Sequence, residues 1–198
     1  MDAPQKKIIA AFDFDGTITT KDTLFDFIAF YHGKVKLLLG LVILSPVLVL
    51  YLLKIVKNST AKQSMFAYFF KGEPISVFER KCQVYADRIA EISRPEVLEL
   101  LQEHQSRGEQ VVIVSASIDR WIVPWATRMN IETVIGTTVR VENGCVERHF
   151  LSANCYGQEK VSRLLELFPN RKDYVLYAYG DSSGDNELLA FADFGKRV

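Results

Sequence analysis

The sequence predicts an α/β fold: a doubly wound, mostly parallel sheet with an all-helical insertion after its first strand. Three apolar runs carry this prediction: IIAAF at 8–12, VVIV at 111–114 and YVLYAYG at 174–180. Each is too short for a useful helix and fits a strand buried on both faces, as in parallel sheets. Each also ends in polar residues: Asp13 and Asp15, then Ser115, then Asp181 and Asp185. Between the first two runs, residues 20–92 read as helix. The domain expectation is a core of 1–19 and 93–198 with a helical cap of 20–92.

A chain of 198 residues can bury an ordinary core in one domain, or in one domain plus an insertion. Basic and acidic residues balance at 24 each, so no global field favours nucleic acid, and no such partner is expected. Cys82, Cys145 and Cys155 include no C-x-x-C pair, which argues against a disulfide framework or a cysteine zinc site and suits a reducing compartment. His32, His104 and His149 are scattered, with no H-E-x-x-H, which disfavours a zinc hydrolase. The start, MDAPQKK, leads into the first strand and does not read as a secretory signal. The expected address is the cytoplasm.

In chain order, Leu24, Phe25, Phe27, Ile28 and Phe30 give a mainly apolar helical stripe within 18–36. Leu37 to Leu53 then carries no charge, with Lys34 and Lys36 on one side and Lys54 and Lys57 on the other. A straight helix here would be about 25 Å long, near the lower limit for a membrane span. A single crossing is disfavoured by topology, because Asp13 precedes the segment and its partners follow it. Ser45-Pro46 predicts a helical hairpin or a kinked pair. Two environments stay open for it: the interior of the helical subdomain, or a bilayer surface, which would place the protein peripherally at the inner face of a membrane.

Residues 58–93 continue as helix, broken at Gly72 and Pro74, and Pro95 opens a further helix that ends near Gly108. Residues 118–129 have helical spacing interrupted by Pro124. Residues 133–150 hold a period-2 strand and an Asn143-Gly144 hairpin turn. Val161, Leu164, Leu165 and Phe168 form one helical face with Lys160 at its start, and Phe194 to Val198 predicts a fifth strand.

If the apolar runs are parallel strands, Asp13, Asp15, Ser115, Asp181 and Asp185 gather beyond their carboxyl ends, where open α/β sheets bind ligands. Lys160 can join them from a helix N-terminus. Acids, a lysine and hydroxyls in one cleft suit a Mg²⁺ ion facing a substrate phosphate. Each part also has a plainer reading: a solvated strand exit for Asp13 and Asp15, a helix cap for Ser115, a surface lysine for Lys160, an acidic turn for Asp181 and Asp185. A calcium EF-hand loop starting at Asp13 fails, because Ile18 and Leu24 stand where Gly and Glu are needed. The joint order of the parts discriminates.

That order resembles a known family. DFDGT at 13–17, VVIVSAS carrying Ser115, GQEK ending at Lys160 and GDSSGDNELL at 180–189 are similar to the four motifs of the haloacid-dehalogenase phosphatase superfamily. The helical insertion resembles the C1 cap of its phosphoserine-phosphatase-like subfamily. The resemblance implies that Asp13 is the nucleophile forming an aspartyl-phosphate, and that Asp15 is general acid and then general base. It implies that Gly16, Thr17, Ser115 and Ala116 bind phosphate and that Lys160 neutralises its charge. Mg²⁺ would sit on Asp13, the Asp15 carbonyl and Asp181, with Asp185 supporting that shell or Lys160.

The chemistry fits these roles, because a phosphate dianion repels a carboxylate nucleophile unless positive charge screens both. Substrate is the open term. Asp22 stands where phosphoserine phosphatases carry a Glu, and Gly184 replaces their fourth-motif Asn, so a phosphoserine assignment is weakened. The charge-free cap resembles the branch containing phosphatidylglycerophosphatase C, implying a lipid or amphiphilic phosphomonoester. The alternatives are a small-metabolite phosphatase, a phosphotransferase, or a non-catalytic phosphate-binding or membrane-adaptor protein.

Overall fold

The apolar run at 8–12 is the middle strand of a five-stranded parallel sheet in a computed structural model that describes residues 6–198. The expectation of no secretory leader falls partly on residues 1–5, which lie outside the described residues. The chain runs β1 (Lys7–Phe12), α1 (Thr23–His32), α2 (Lys34–Leu52), α3 (Asn58–Phe70), α4 (Ile75–Ile92), α5 (Pro95–Ser106) and β2 (Gln110–Ile118). It continues with α6 (Asp119–Arg128), β3 (Thr133–Thr137), β4 (Val139–Glu142), β5 (Cys145–Phe150), α7 (Gln158–Leu167), β6 (Tyr174–Gly180), α8 (Asn186–Phe191) and β7 (Phe194–Arg197).

The sheet order is β3-β2-β1-β6-β7, so the three apolar runs of the sequence are adjacent. Alternate residues of β1 face two cores, because strand side chains have period 2. Ala10 and Phe12 pack in the cluster holding Val97, Leu101, Trp121 and Trp125 of α5 and α6. Ile9 and Ala11 face Val161, Leu164 and Leu188 of α7 and α8. Helices cover both faces of a parallel sheet, as the fold class requires.

The structure corrects the expectation for the charge-free segment. It is neither a hairpin nor a pair: α2 runs unbroken through Pro46. Proline removes the N–H that would bond the Val42 carbonyl. Ser45 Oγ donates to that carbonyl instead, at 2.7 Å, so the helix continues. Nor is it an interior core element. Leu37, Leu41, Leu44 and Leu48 pack inward, and Gly40 is buried against the Phe69 ring. The other faces are open, with Val35 73%, Val42 71% and Leu52 74% exposed.

One further difference and one expected feature complete the fold. β2 continues through Ser115-Ala116-Ser117 to Ile118, with a register shift against β3 between Val114 and Ile118. Asn143 and Gly144 take left-handed backbone (φ 49° and 74°) in the expected tight turn. The resulting β4–β5 hairpin forms its own two-stranded sheet. It bonds the α3–α4 loop, through Gly72 N to Val146 O (2.8 Å) and Val146 N to Glu73 O (2.9 Å).

Candidate active site

Asp13 is the first residue past β1, and its N–H donates to the Tyr179 carbonyl of β6 (2.9 Å), which fixes it at the sheet edge. It is 5% exposed. Lys160, in the first turn of α7, is 2% exposed, and its Nζ lies 2.5 Å from Asp13 Oδ1 and 2.5 Å from Asp185 Oδ1. A buried lysine needs such partners, since an unpaired buried charge is strongly unfavourable. Asp185 is held in turn, its Oδ2 accepting from Ser182 N (3.0 Å) and Oγ (2.9 Å).

Asp15, two residues on from Asp13, is turned the other way. Its Oδ1 accepts from Thr23 N (3.0 Å) and Thr23 Oγ1 (2.6 Å), and its Oδ2 from Ser117 Oγ. Trp121 Nε1 donates to Thr23 Oγ1 at 3.2 Å, anchoring that support. Sequence reasoning missed Thr23, Ser117 and Trp121. The spacing of Ser115 and Ser117, two apart on a strand and so on one face, was the available signal.

Gly16 has a left-handed φ of 79°, and a Cβ there would lie 2.3 Å from Asp181 Oδ2. Only glycine lets the loop pass this close to Asp181. Thr17, expected among the phosphate-binding groups, stands directly behind the acids of the floor. It is fully buried and its hydroxyl donates to Asp13 Oδ2 (3.1 Å), so it braces that carboxylate. Ser115 and Ala116 do line it. Ser115 Oγ accepts from Ser117 N (3.0 Å). The Ala116 carbonyl accepts from Lys62 Nζ at 2.6 Å, so α3 delivers a second cation that sequence reasoning did not single out.

The cavity has a volume of about 510 Å³. Asp13, Asp15, Gly16, Ser115, Lys160 and Asp181 form its floor, and Asp22, Leu48, Tyr51 and Lys62 come from the helices above. Asp22 also caps α1, accepting from Leu24 N at 2.9 Å.

Burial and mutual repulsion set the titration of this cluster. Burial, opposed by Lys160 and reinforced by Asp185, pushes Asp13 up to about 7. Burial raises Asp181 as well, with Asp185 adding to the effect. Burial works against the charge on Lys160, but Asp13 and Asp185 together outweigh it and hold the ammonium above the ordinary lysine range. Lys62 is lowered by burial, against the pull of Asp15 and Asp22.

The donors fit a hard divalent cation. Asp13, Asp181 and Asp185 each bring a carboxylate oxygen within 4.8 Å of the others. All are oxygen ligands, which suits Mg²⁺. The Asp15 side chain is outside this set, engaged by Thr23 and Ser117.

The family model for haloacid dehalogenase-like hydrolases matches residues 10–190. Protein CicA of Caulobacter vibrioides is 33% identical over 189 residues, 94% of this chain and 83% of that protein. A HAD family hydrolase from Salmonella enterica serovar Typhi superposes with a TM-score of 0.72 at 18% identity. That match covers 98% of this chain, which spans 63% of the longer Salmonella protein. A phosphoserine phosphatase solved as a phospho-aspartyl intermediate analogue superposes with a TM-score of 0.63 at 18% identity, over 98% of this chain and 86% of that one.

Proposed function

The chain belongs to the haloacid dehalogenase-like hydrolase family, and we propose that within it the protein hydrolyses phosphomonoesters through a covalent phosphate on Asp13. The observation that carries this reading is the opposite treatment of two neighbouring acids. Asp13 meets the buried ammonium of Lys160 at 2.5 Å, while Asp15 is held by hydroxyls and a backbone N–H. That difference sets Asp13 against the positive charge that an attack on a phosphate dianion needs, and holds Asp15 apart from it, in reach of a separate task, exchanging a proton with the ester oxygen and then with water.

Asp13 attacks phosphorus as the ester oxygen departs with the proton from Asp15. Asp15, now ionised, takes a proton from water, whose oxygen attacks the aspartyl-phosphate and releases inorganic phosphate and the free Asp13 carboxylate. Lys160 sits where negative charge concentrates, and Thr17 steadies the Asp13 oxygen that Lys160 does not hold. Mg²⁺ held by Asp13 and Asp181, with Asp185 beside them, would supply further positive charge for the phosphate. A phosphoserine phosphatase solved as a phospho-aspartyl intermediate analogue shares this fold, which supports a covalent phosphate on an aspartate as the chemistry proposed here.

The substrate class is an amphiphilic phosphomonoester, such as a lipid headgroup phosphate. The cavity is charged at its floor, but Leu24, Phe25, Leu48, Tyr51 and Met65 make much of its upper wall apolar. Asp22 at the wall supports the second reading, a small amine-bearing phosphomonoester such as phosphoserine. Phosphate release with Mg²⁺ from phosphatidylglycerophosphate in vesicles, set against phosphoserine, separates the two. Faster turnover of phosphoserine overturns the amphiphile reading. Asp13→Asn should lower turnover on the order of 10⁴-fold or more while the protein stays folded; a variant working at the parent rate overturns the mechanism.

A further inference from the structure

α2 is apolar on every face, a composition expected of a helix buried all round. Here only one stripe is covered. Leu37, Leu41, Leu44 and Leu48 pack on the protein along the length of the helix, while Val35, Val42 and Val49, seven apart and so on one opposite line, are exposed. Exposed apolar surface of this extent marks an interaction site.

Charge identifies the occupant. The whole chain balances 24 basic against 24 acidic residues, yet no acid occurs between Asp26 and Glu73. The same interval holds Lys34, Lys36, Lys54, Lys57, Lys62 and Lys71. Of these, Lys34, Lys36, Lys54 and Lys57 are exposed at the two ends of α2. Two copies facing each other through this surface would set lysine against lysine with no acid between them. A bilayer with anionic headgroups answers both features, taking the apolar line into its boundary and the lysines among its phosphates.

We infer that α2 lies in the plane of an anionic bilayer surface and docks the protein there. A crossing orientation is excluded by the packing: Asp13 precedes α2 and Lys160 follows it, and the two are in contact. Docking does not depend on the phosphatase reading. A second consequence does: Leu48 and Tyr51 of α2 line the cavity, so an amphiphile leaving the bilayer reaches Asp13 along the helix that holds the membrane.

The test uses the full chain floated with vesicles of phosphatidylcholine alone or mixed with phosphatidylglycerol, with p-nitrophenyl phosphate turnover measured in parallel. Binding should be at least about tenfold tighter to the anionic vesicles, and Lys54→Gln should weaken it about fivefold. Joint Val42→Glu and Ile43→Glu should reduce binding more than tenfold while leaving turnover of the soluble ester unchanged. Tryptophan placed singly at Val35, Val42 and Val49 should be quenched equally and shallowly by brominated lipids.

No binding by the parent, or undiminished binding by the glutamate variant, overturns the inference. So does deeper quenching at position 42 than at 35 and 49, the signature of a crossing helix. A lipid-independent dimer abolished by the glutamate pair, without vesicle binding, assigns the surface to a second copy. A parent that floats yet hydrolyses no phosphoester upholds docking and overturns the enzyme reading alone.

Discussion

Lys160 and Asp13 stand 147 positions apart in the chain and share a 2.5 Å contact that is closed to solvent. The same ammonium reaches Asp185, so one cation ties the edge of β1 to the turn after β6. Asp15, in the same short loop as Asp13, touches neither. Among the described residues it is the one of these acids hydrogen-bonded to the helical insertion, through Thr23 at the start of α1, so its position depends on how that insertion sits on the sheet.

That separation of duties predicts a leaving-group effect. Asp15→Asn keeps the hydrogen-bonding shape but cannot give a proton. Turnover of an alkyl phosphomonoester should fall about 10²- to 10⁴-fold. An ester with a good leaving group, such as p-nitrophenyl phosphate, needs little protonation and should lose far less in its first step. Steady-state and burst kinetics on the two esters check this; equal losses in the burst would remove Asp15 from the acid role.

Lys62 makes a different prediction. Its Nζ is half-buried at the cavity wall, donates to the Ala116 carbonyl at 2.6 Å, and stands near Asp15 and Asp22 without bonding either. It lines the same cavity as Asp13 without bonding it, placed to receive an anionic group. Lys62→Met should raise KM for a phosphomonoester about tenfold or more, the worth of one charged hydrogen bond, with kcat changed much less. A fall confined to kcat would place Lys62 in the chemical step.

Much of this arrangement was legible in the sequence, and the reasons the rest was not are physical. Apolar runs closing on Asp13, Ser115 and Asp181 are short-range signals, and a parallel sheet converts them directly into one edge. Lys62 is a single lysine on a helix, and nothing local separates it from a solvated one; only the packing of α3 over the Ala116 carbonyl does. Pro46 read as a break because the rescue of the Val42 carbonyl by Ser45 Oγ depends on a side-chain rotamer. Whether the charge-free stretch is inside or outside could not be read at all, since both environments select the same residues. The reach of the β4–β5 hairpin to the α3–α4 loop is a long-range pairing that hydrophobic period does not encode.

Asp119, at the start of α6, gives a pH-dependent prediction away from the catalytic floor. Burial raises its carboxyl above the ordinary range, opposed by the 2.8 Å hydrogen bond from Thr138 Oγ1. Its Oδ1 is buried with no partner among the described residues. A raised carboxyl binds its proton more tightly folded than unfolded, so stability is greatest below the unfolded pKa and falls as pH climbs through the folded one. Asp119→Asn carries no charge to bury and should raise the melting temperature at pH 7.5 by about 3 °C, roughly 1 kcal/mol for a chain of this size. The gain should shrink on acidification toward pH 4. A gain that is constant across that range would trace it to something other than the charge.

Gly40 tests how α2 is held. In an exposed helix, Gly→Ala stabilises by up to about 1 kcal/mol, because alanine has less backbone freedom to lose. Gly40 is the one buried residue of α2, and a Cβ there would lie 2.2 Å from Phe69 Cζ. Phe69 is itself 6% exposed, so its ring has little room to retreat. Overpacking of this kind costs about 1–3 kcal/mol, more than the propensity gain, and the sign reverses. Gly40→Ala should therefore lower the melting temperature, by about 3 °C for each kcal/mol lost. Trimming the ring with Phe69→Leu should then cost less in the Gly40→Ala background than in the parent, because the two changes share one contact. Strict additivity of the pair in thermal melts would show that α2 is not seated on α3 through this contact.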